Sequence, residues 1–184
     1  MRTPRSRTER ILLLGISALL CGLLVNVVLA CTNRNDLDIF LAAARELWKG
    51  GDPYAIKYHQ WYTYYYSTFF AFLITPLLPL GAVGAKLVWG ALTILLVFRC
   101  AKLLGLTGLR PVFFALLALF QPIRDNINAS QMTVLVVWAC LEGLHQVDRG
   151  RRIRAAVLIG AALEVKLIPL VLLPYLIYRR QWPV

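Results

Sequence analysis

From Ile11 to Ala30 no side chain carries a charge, and arginines close the run on both sides, Arg7 and Arg10 before it and Arg34 after it. About 20 apolar residues suffice to cross ~30 Å of hydrocarbon as a helix, and they exceed the roughly 7 to 15 of a secretory signal core. The segment is therefore expected to be an uncleaved first span. Arg2, Arg5, Arg7 and Arg10 hold its N-terminal end in the cytoplasm under the positive-inside bias.

The rest of the chain has the same character. Its hydrophobic share is 59 %, above the roughly 45 to 50 % of soluble domains, so an all-α polytopic membrane protein is expected. A formal charge of +11 raises the question of nucleic acid. The cations, however, cluster beside apolar runs, as at Arg149, Arg151, Arg152 and Arg154 and again at Arg179 and Arg180, where they act as cytoplasmic anchors. No nucleic-acid partner is expected. Cys21, Cys31, Cys100 and Cys140 show no paired spacing, so neither a disulfide framework nor a metal site is assigned.

After the first span comes a polar island, Asn33 to Tyr54, with four of the nine carboxylates. At helical spacing Leu37, Phe40, Leu41, Ala44, Leu47 and Trp48 share one stripe, with Asp38, Arg45, Glu46 and Lys49 elsewhere. Asn35 or Asp36 can cap this helix, and Gly50-Gly51 ends it before Asp52-Pro53. The expected placement is in the headgroup region, apolar stripe towards the bilayer, with Asp36 at the membrane surface. The aromatic run from Tyr58 through His59 to Tyr66 then reads as an interfacial belt.

Two topologies compete for the next stretch. Ser67 to Leu80 contains Pro76 and Pro79; it either crosses the membrane or dips in and returns, leaving the crossing to Leu87 to Phe98. The second choice keeps Arg99 to Arg110 and Arg149 to Arg154 on the cytoplasmic side and puts Gln121 to Gln131 outside, so the re-entrant reading is preferred. Basic clusters also bracket Ala155 to Tyr178, which points to two short helices broken near Lys166-Leu167-Ile168-Pro169. Such a break, with a charge, is tolerated at membrane depth only beside a polar cavity.

Three polar groups thus fall on the outer face: Asp36 with Asp38, the segment from Gln121 through Arg124 to Gln131, and Lys166. Taken singly, Asp36 reads as well as a helix cap, Lys166 as a snorkelling residue or a partner of Glu164, and Gln121 to Gln131 as a polar loop. Glu142 and His145 read as a local pair. Taken together, the three groups fit a carboxylate that takes a proton from a sugar or lipid hydroxyl while Lys166 or Arg124 holds a departing phosphate.

The order Asp36-Leu37-x-Ile39-Phe40, Ala42-Ala43-Ala44-Arg45, Gly51-Asp52-Pro53-Tyr54, Pro76-Leu77-Leu78-Pro79, Ser130-Gln131-Met132-Thr133 and Lys166-Leu167-Ile168-Pro169, with Tyr175 and Arg179-Arg180-Gln181-Trp182, resembles glycosyltransferase family 87. The resemblance implies a membrane enzyme of the C-type glycosyltransferase fold. It implies Asp36 as the base carboxylate, and carries the family's Gly-Gln-x-Asn and Lys-x-x-Pro steps onto Ser130 to Thr133 and onto Lys166 and Pro169. Gln131, Lys166, Arg124, Asp38 and Tyr54 are the expected substrate-binding residues. Two departures stand out: Tyr66-Ser67-Thr68 where relatives read Tyr-Pro-Pro, and Glu164 beside Lys166.

The implied reaction moves a hexose, mannose by resemblance, from a polyprenyl-phosphate sugar to a lipid or glycan hydroxyl on the outer face of a bacterial inner membrane, with no cofactor. A non-catalytic membrane protein, either a remnant or a subunit binding lipid phosphates, is the alternative. A transporter fits less well, since no inverted repeat is evident. The implied fold is longer than 184 residues, so residues 1–184 are expected to form one transmembrane domain, the N-terminal module of such an enzyme.

Overall fold

A computed structural model describes residues 6–55, 57–58 and 62–178. His59 of the aromatic run and the segment from Arg179 to Trp182 lie outside the described residues. The protein is all-α apart from a two-residue antiparallel ladder pairing Lys57 with Thr63 and Tyr58 with Tyr62. Its helices are α1 (Arg7–Thr32), α2 (Asp36–Trp48), α3 (Thr68–Ile74), α4 (Gly81–Leu103), α5 (Leu109–Asn128), α6 (Thr133–Asp148), α7 (Arg152–Val165) and α8 (Leu172–Tyr178), with 3-10 turns at Thr75–Leu80 and Ile168–Val171.

Helix α1 begins on a capping box, in which Ser6 Oγ accepts from Glu9 N and the Glu9 carboxylate accepts from Ser6 N. Its apolar surface stays largely exposed, as a lipid-facing helix requires. Small residues let the helices approach. A Cβ on Gly15 or Gly22 of α1 would meet Phe113 or Phe120 of α5, so these two helices run parallel. A Cβ on Gly90 of α4 would lie 2.6 Å from Val27 of α1, and one on Gly143 of α6 would lie 2.6 Å from Ile159 of α7. Close contact at small residues is how helices associate where lipid removes the hydrophobic drive.

These contacts give the bundle two ends. The C-terminus of α1, the start of α4, the α5–α6 connection and the end of α7 meet at one, which carries Asp36 and Lys166. Arg7, Arg10, Lys102, Arg110 and Arg149 to Arg154 collect at the other. Arg99, near the end of α4, binds Glu142 of α6 through Nη2 at 2.7 Å and Nε at 3.0 Å, and Gln146 donates to the same carboxylate at 2.7 Å. His145 stays electrostatically coupled to Glu142, as the spacing suggested, but the hydrogen bonds to the carboxylate come from Arg99, both nitrogens on Oε2, and from Gln146 on Oε1.

The contiguous stretch Thr68–Leu103 is long and apolar enough to cross a membrane, yet it is not one rod. Phe70 lies edge-on to Phe40 in α2, while Phe72, Leu73, Pro76 and Pro79 border a groove with Trp48 at the far end of α2. Lys86 is back beside Asp38 at the start of α2. The chain runs out along α2, turns at Gly81 with φ +66°, and only then enters α4.

Three expectations are corrected in detail. The stripe Leu37, Phe40, Leu41 and Ala44 is buried against α3, the 3-10 turn and α4 instead of facing the bilayer, and Trp48 stands out of it at 74 % exposure. The re-entrant segment itself supplies the apolar surface that covers α2. Gln121 to Asn128 is not a loop: α5 continues through Pro122, and only residues 129–132 join it to α6, at 119°. The single Pro removes one backbone donor without ending the helix. Finally, the aromatic run is partly internal, with Tyr64 buried.

Candidate functional site

Asp36 owes its position to hydrogen bonds on either side of it. Its own N–H donates to the carbonyl of Ala129 at 3.1 Å, tying α2 to the α5–α6 connection. Two residues on, the Asp38 carboxylate accepts from Asn35 N at 3.0 Å and from Lys86 Nζ at 2.9 Å, and the Asn35 amide donates to the Ala30 carbonyl at 3.1 Å. Asp38 is thus occupied in holding α2, whereas no hydrogen bond reaches the Asp36 carboxylate among the described residues. Burial pushes the Asp36 carboxyl above the usual carboxylate range, and the Lys166 ammonium partly opposes that shift.

Lys166 marks the break foreseen in the sequence. Helix α7 ends at Val165, Lys166 is extended at φ −147° and ψ 141°, and a 3-10 turn follows. Its Nζ donates to Thr133 Oγ1 at 3.1 Å, and that hydroxyl faces Gln131 Oε1 at 3.5 Å. Glu164 is exposed and makes no ion pair with Lys166. Glu164 stands on the last turn of α7 and Lys166 on the extended residue that follows it, and the Lys166 ammonium turns to Thr133 instead.

Tyr66 completes the cluster and was absent from the expected set. Its ring stands edge-on to Phe40 at 5.1 Å and packs against Phe70 and Tyr64. Its carbonyl accepts from Tyr54 Oη at 2.9 Å. Burial and then the Asp36 charge raise its phenol further, so it stays a hydrogen-bond donor at neutral pH. Tyr66 and Lys166, both electrostatically coupled to Asp36, line an open groove of about 710 Å³ with Tyr65, Ser67, Glu164 and Leu170.

Of the expected residues, Asp36, Lys166 and Gln131 are brought together, and Tyr54 supports the wall formed by Tyr66. Arg124 is turned towards Asp125 at 3.2 Å and does not line the groove. Thr133, the last position of the step carried onto Ser130 to Thr133, joins the arrangement, and so, unforeseen, does Lys86. Lys86 was detectable as a lone cation within an apolar run, since such charges are functional or structural candidates by default. The Ser130 backbone, at φ +50°, takes the left-handed turn that brings Gln131 and Thr133 round. The resemblance places a glycine at this position, and the positive φ gives the physical reason.

The arrangement offers a half-buried carboxylate without a hydrogen bond among the described residues, electrostatically coupled to a cation and a phenol that line a groove. A family model described as Glycosyltransferase family 87 matches residues 64–184. No curated protein and no solved structure matches the chain.

Proposed function

Because the chain belongs to glycosyltransferase family 87, we propose that it takes part in moving a hexose, mannose, from a polyprenyl-phosphate sugar to a lipid or glycan hydroxyl. Residues 1–184 are read as a single membrane domain, the N-terminal module of the enzyme. The Asp36-bearing end faces outward from a bacterial inner membrane and the N-terminus lies in the cytoplasm, in keeping with the arginines gathered at the opposite end. Asp36 is the base. It takes the proton of the acceptor hydroxyl as that oxygen attacks the anomeric carbon, and the bond to the polyprenyl phosphate breaks with inversion.

Lys166 meets the phosphate as negative charge grows on it. One of its three protons is engaged by Thr133, which leaves the others for the phosphate oxygens. Tyr66 orients the sugar from the groove wall, and Gln131 does so from beside Thr133. The observation that carries this reading is the electrostatic coupling of Asp36 to Lys166, 130 positions apart in the sequence, where Lys166 lines a groove and makes no direct ion pair with Asp36 that would neutralise both.

The test is transfer from labelled polyprenyl-phosphate mannose in membranes that contain the protein. A labelled lipid or glycan product is expected. In Lys166→Met the KM for donor is expected to rise about 10- to 100-fold, the loss of one or two hydrogen bonds to a charged group, with protein amount unchanged. An unchanged donor KM in Lys166→Met, with loss of folded protein that Glu164→Gln restores, contradicts the phosphate role.

A further inference from the structure

The side chain of Lys86 is 5 % exposed, on the second turn of α4, whose other cations, Arg99 and Lys102, lie near the opposite end of the helix. Its ammonium makes two short contacts, 2.8 Å to the Asn33 carbonyl and 2.9 Å to Asp38 Oδ2. Asn33 is the C-cap of α1, and Asp38 stands in the first turn of α2. One cation therefore holds the end of one helix and the start of the next, and Asp36 lies on the short piece of chain between them. The same Asp38 oxygen accepts from Asn35 N, which closes the turn immediately before Asp36.

A buried cation with an apolar neighbourhood keeps its charge only where anionic and carbonyl partners are fixed around it. The reverse also holds: those partners stay fixed while the cation is present. Asp36 itself has no side-chain hydrogen bond among the described residues to hold its carboxylate. Its location rests on the backbone bond to Ala129 on one side and on the Lys86 clasp on the other.

We propose that Lys86 is a positioning residue for the transfer reaction, fixing the Asn33–Asp38 turn so that the Asp36 carboxylate stays aimed at the acceptor hydroxyl. The inference rests on the role of Asp36 as base. It adds that α4, which contributes no group to the groove, sets the reaction geometry. It also makes Asp38 the partner of Lys86 instead of a substrate ligand.

The experiment compares Lys86→Met, Lys86→Arg, Asp38→Asn and Asp36→Asn in the full chain in membranes, with labelled polyprenyl-phosphate mannose as donor and rates normalised to folded protein. A misplacement of about 1 Å costs on the order of 10²-fold in rate. Lys86→Met is expected to lower kcat about 10- to 100-fold while the donor KM stays within about twofold, because Lys166 is untouched. Lys86→Arg, which keeps the cation, is expected to recover most of the rate. If Lys86→Met fails to fold, Asp38→Asn, which keeps the Lys86–Asn33 contact, is expected to show the same split.

A normal kcat in folded Lys86→Met and Asp38→Asn, alongside a silent Asp36→Asn, overturns the clasp and leaves the base standing. Full activity in Asp36→Asn overturns the base, and the clasp with it. Fewer folded molecules with normal kcat in both clasp variants show a purely structural ion pair and also overturn the proposal.

Discussion

At the scale of single residues the account depends on what surrounds Asp36. A base must be ionised to accept a proton, so burial that raises its carboxyl moves the acidic limb of the activity profile above that of a free carboxylate. Lys166 works in the opposite direction. Lys166→Met is therefore expected to shift the acidic limb of kcat/KM to higher pH, read from transfer rates across the pH range. A limb that moves to lower pH, or not at all, removes the coupling between the two. Ser130 offers a separate test: at φ +50° a side chain strains the backbone, and Ser130→Gly is expected to raise stability by up to about 1 kcal/mol, seen as a higher melting temperature in detergent.

The sequence pointed to Lys166 as a charge where apolar residues dominate, and to Asp36 as an acid at the start of an amphipathic helix just after the first span. It was silent on Tyr66, one of several tyrosines in an aromatic run, because only the fold selects which ring turns inward. It gave no sign of the ion pair at Asp38 for a related reason. The partner, Lys86, lies 48 positions away, and no local spacing links them.

At the scale of elements, helix length and breaks were legible, whereas faces were not. The break at Lys166 follows from Pro169 and from basic clusters on both sides. Helix α7, at 14 residues, is about 21 Å long and too short for ~30 Å of hydrocarbon. The apolar stripe of α2 was found in the right residues, but a stripe identifies a buried face without saying whether protein or lipid buries it. The α6–α7 pair that carries Thr133 and Lys166 is held at Gly143, where a Cβ would fall 2.6 Å from Ile159. Gly143→Leu is expected to destabilise the protein by about 1 to 3 kcal/mol and to lower transfer, whereas Gly160→Ala, with open space around it, leaves both near normal. Equal melting temperatures for the two variants count against the close contact as the device that places Lys166.

At the scale of the whole molecule, the gathering of Arg7, Arg10, Lys102, Arg110 and Arg149 to Arg154 at one end of the bundle was readable because these cations flank the apolar runs in the sequence. The helix pairing was not readable, since α1 rests on α5 through residues 98 positions apart, Gly15 on Phe113 and Gly22 on Phe120. In a background without the native cysteines, single cysteines at Asp125 and Arg151 report the two ends, and an impermeant thiol reagent added outside is expected to label Asp125→Cys and spare Arg151→Cys. The reverse pattern inverts the membrane orientation.

The central claim, that Asp36 is the base, is tested most directly by single-turnover transfer from labelled polyprenyl-phosphate mannose in Asp36→Asn. Asn keeps the size of the side chain and leaves the backbone bond to Ala129 in place. The account predicts folded protein, unchanged donor binding and a rate about 10² to 10⁴ lower. A folded Asp36→Asn protein that transfers at the unaltered rate contradicts it.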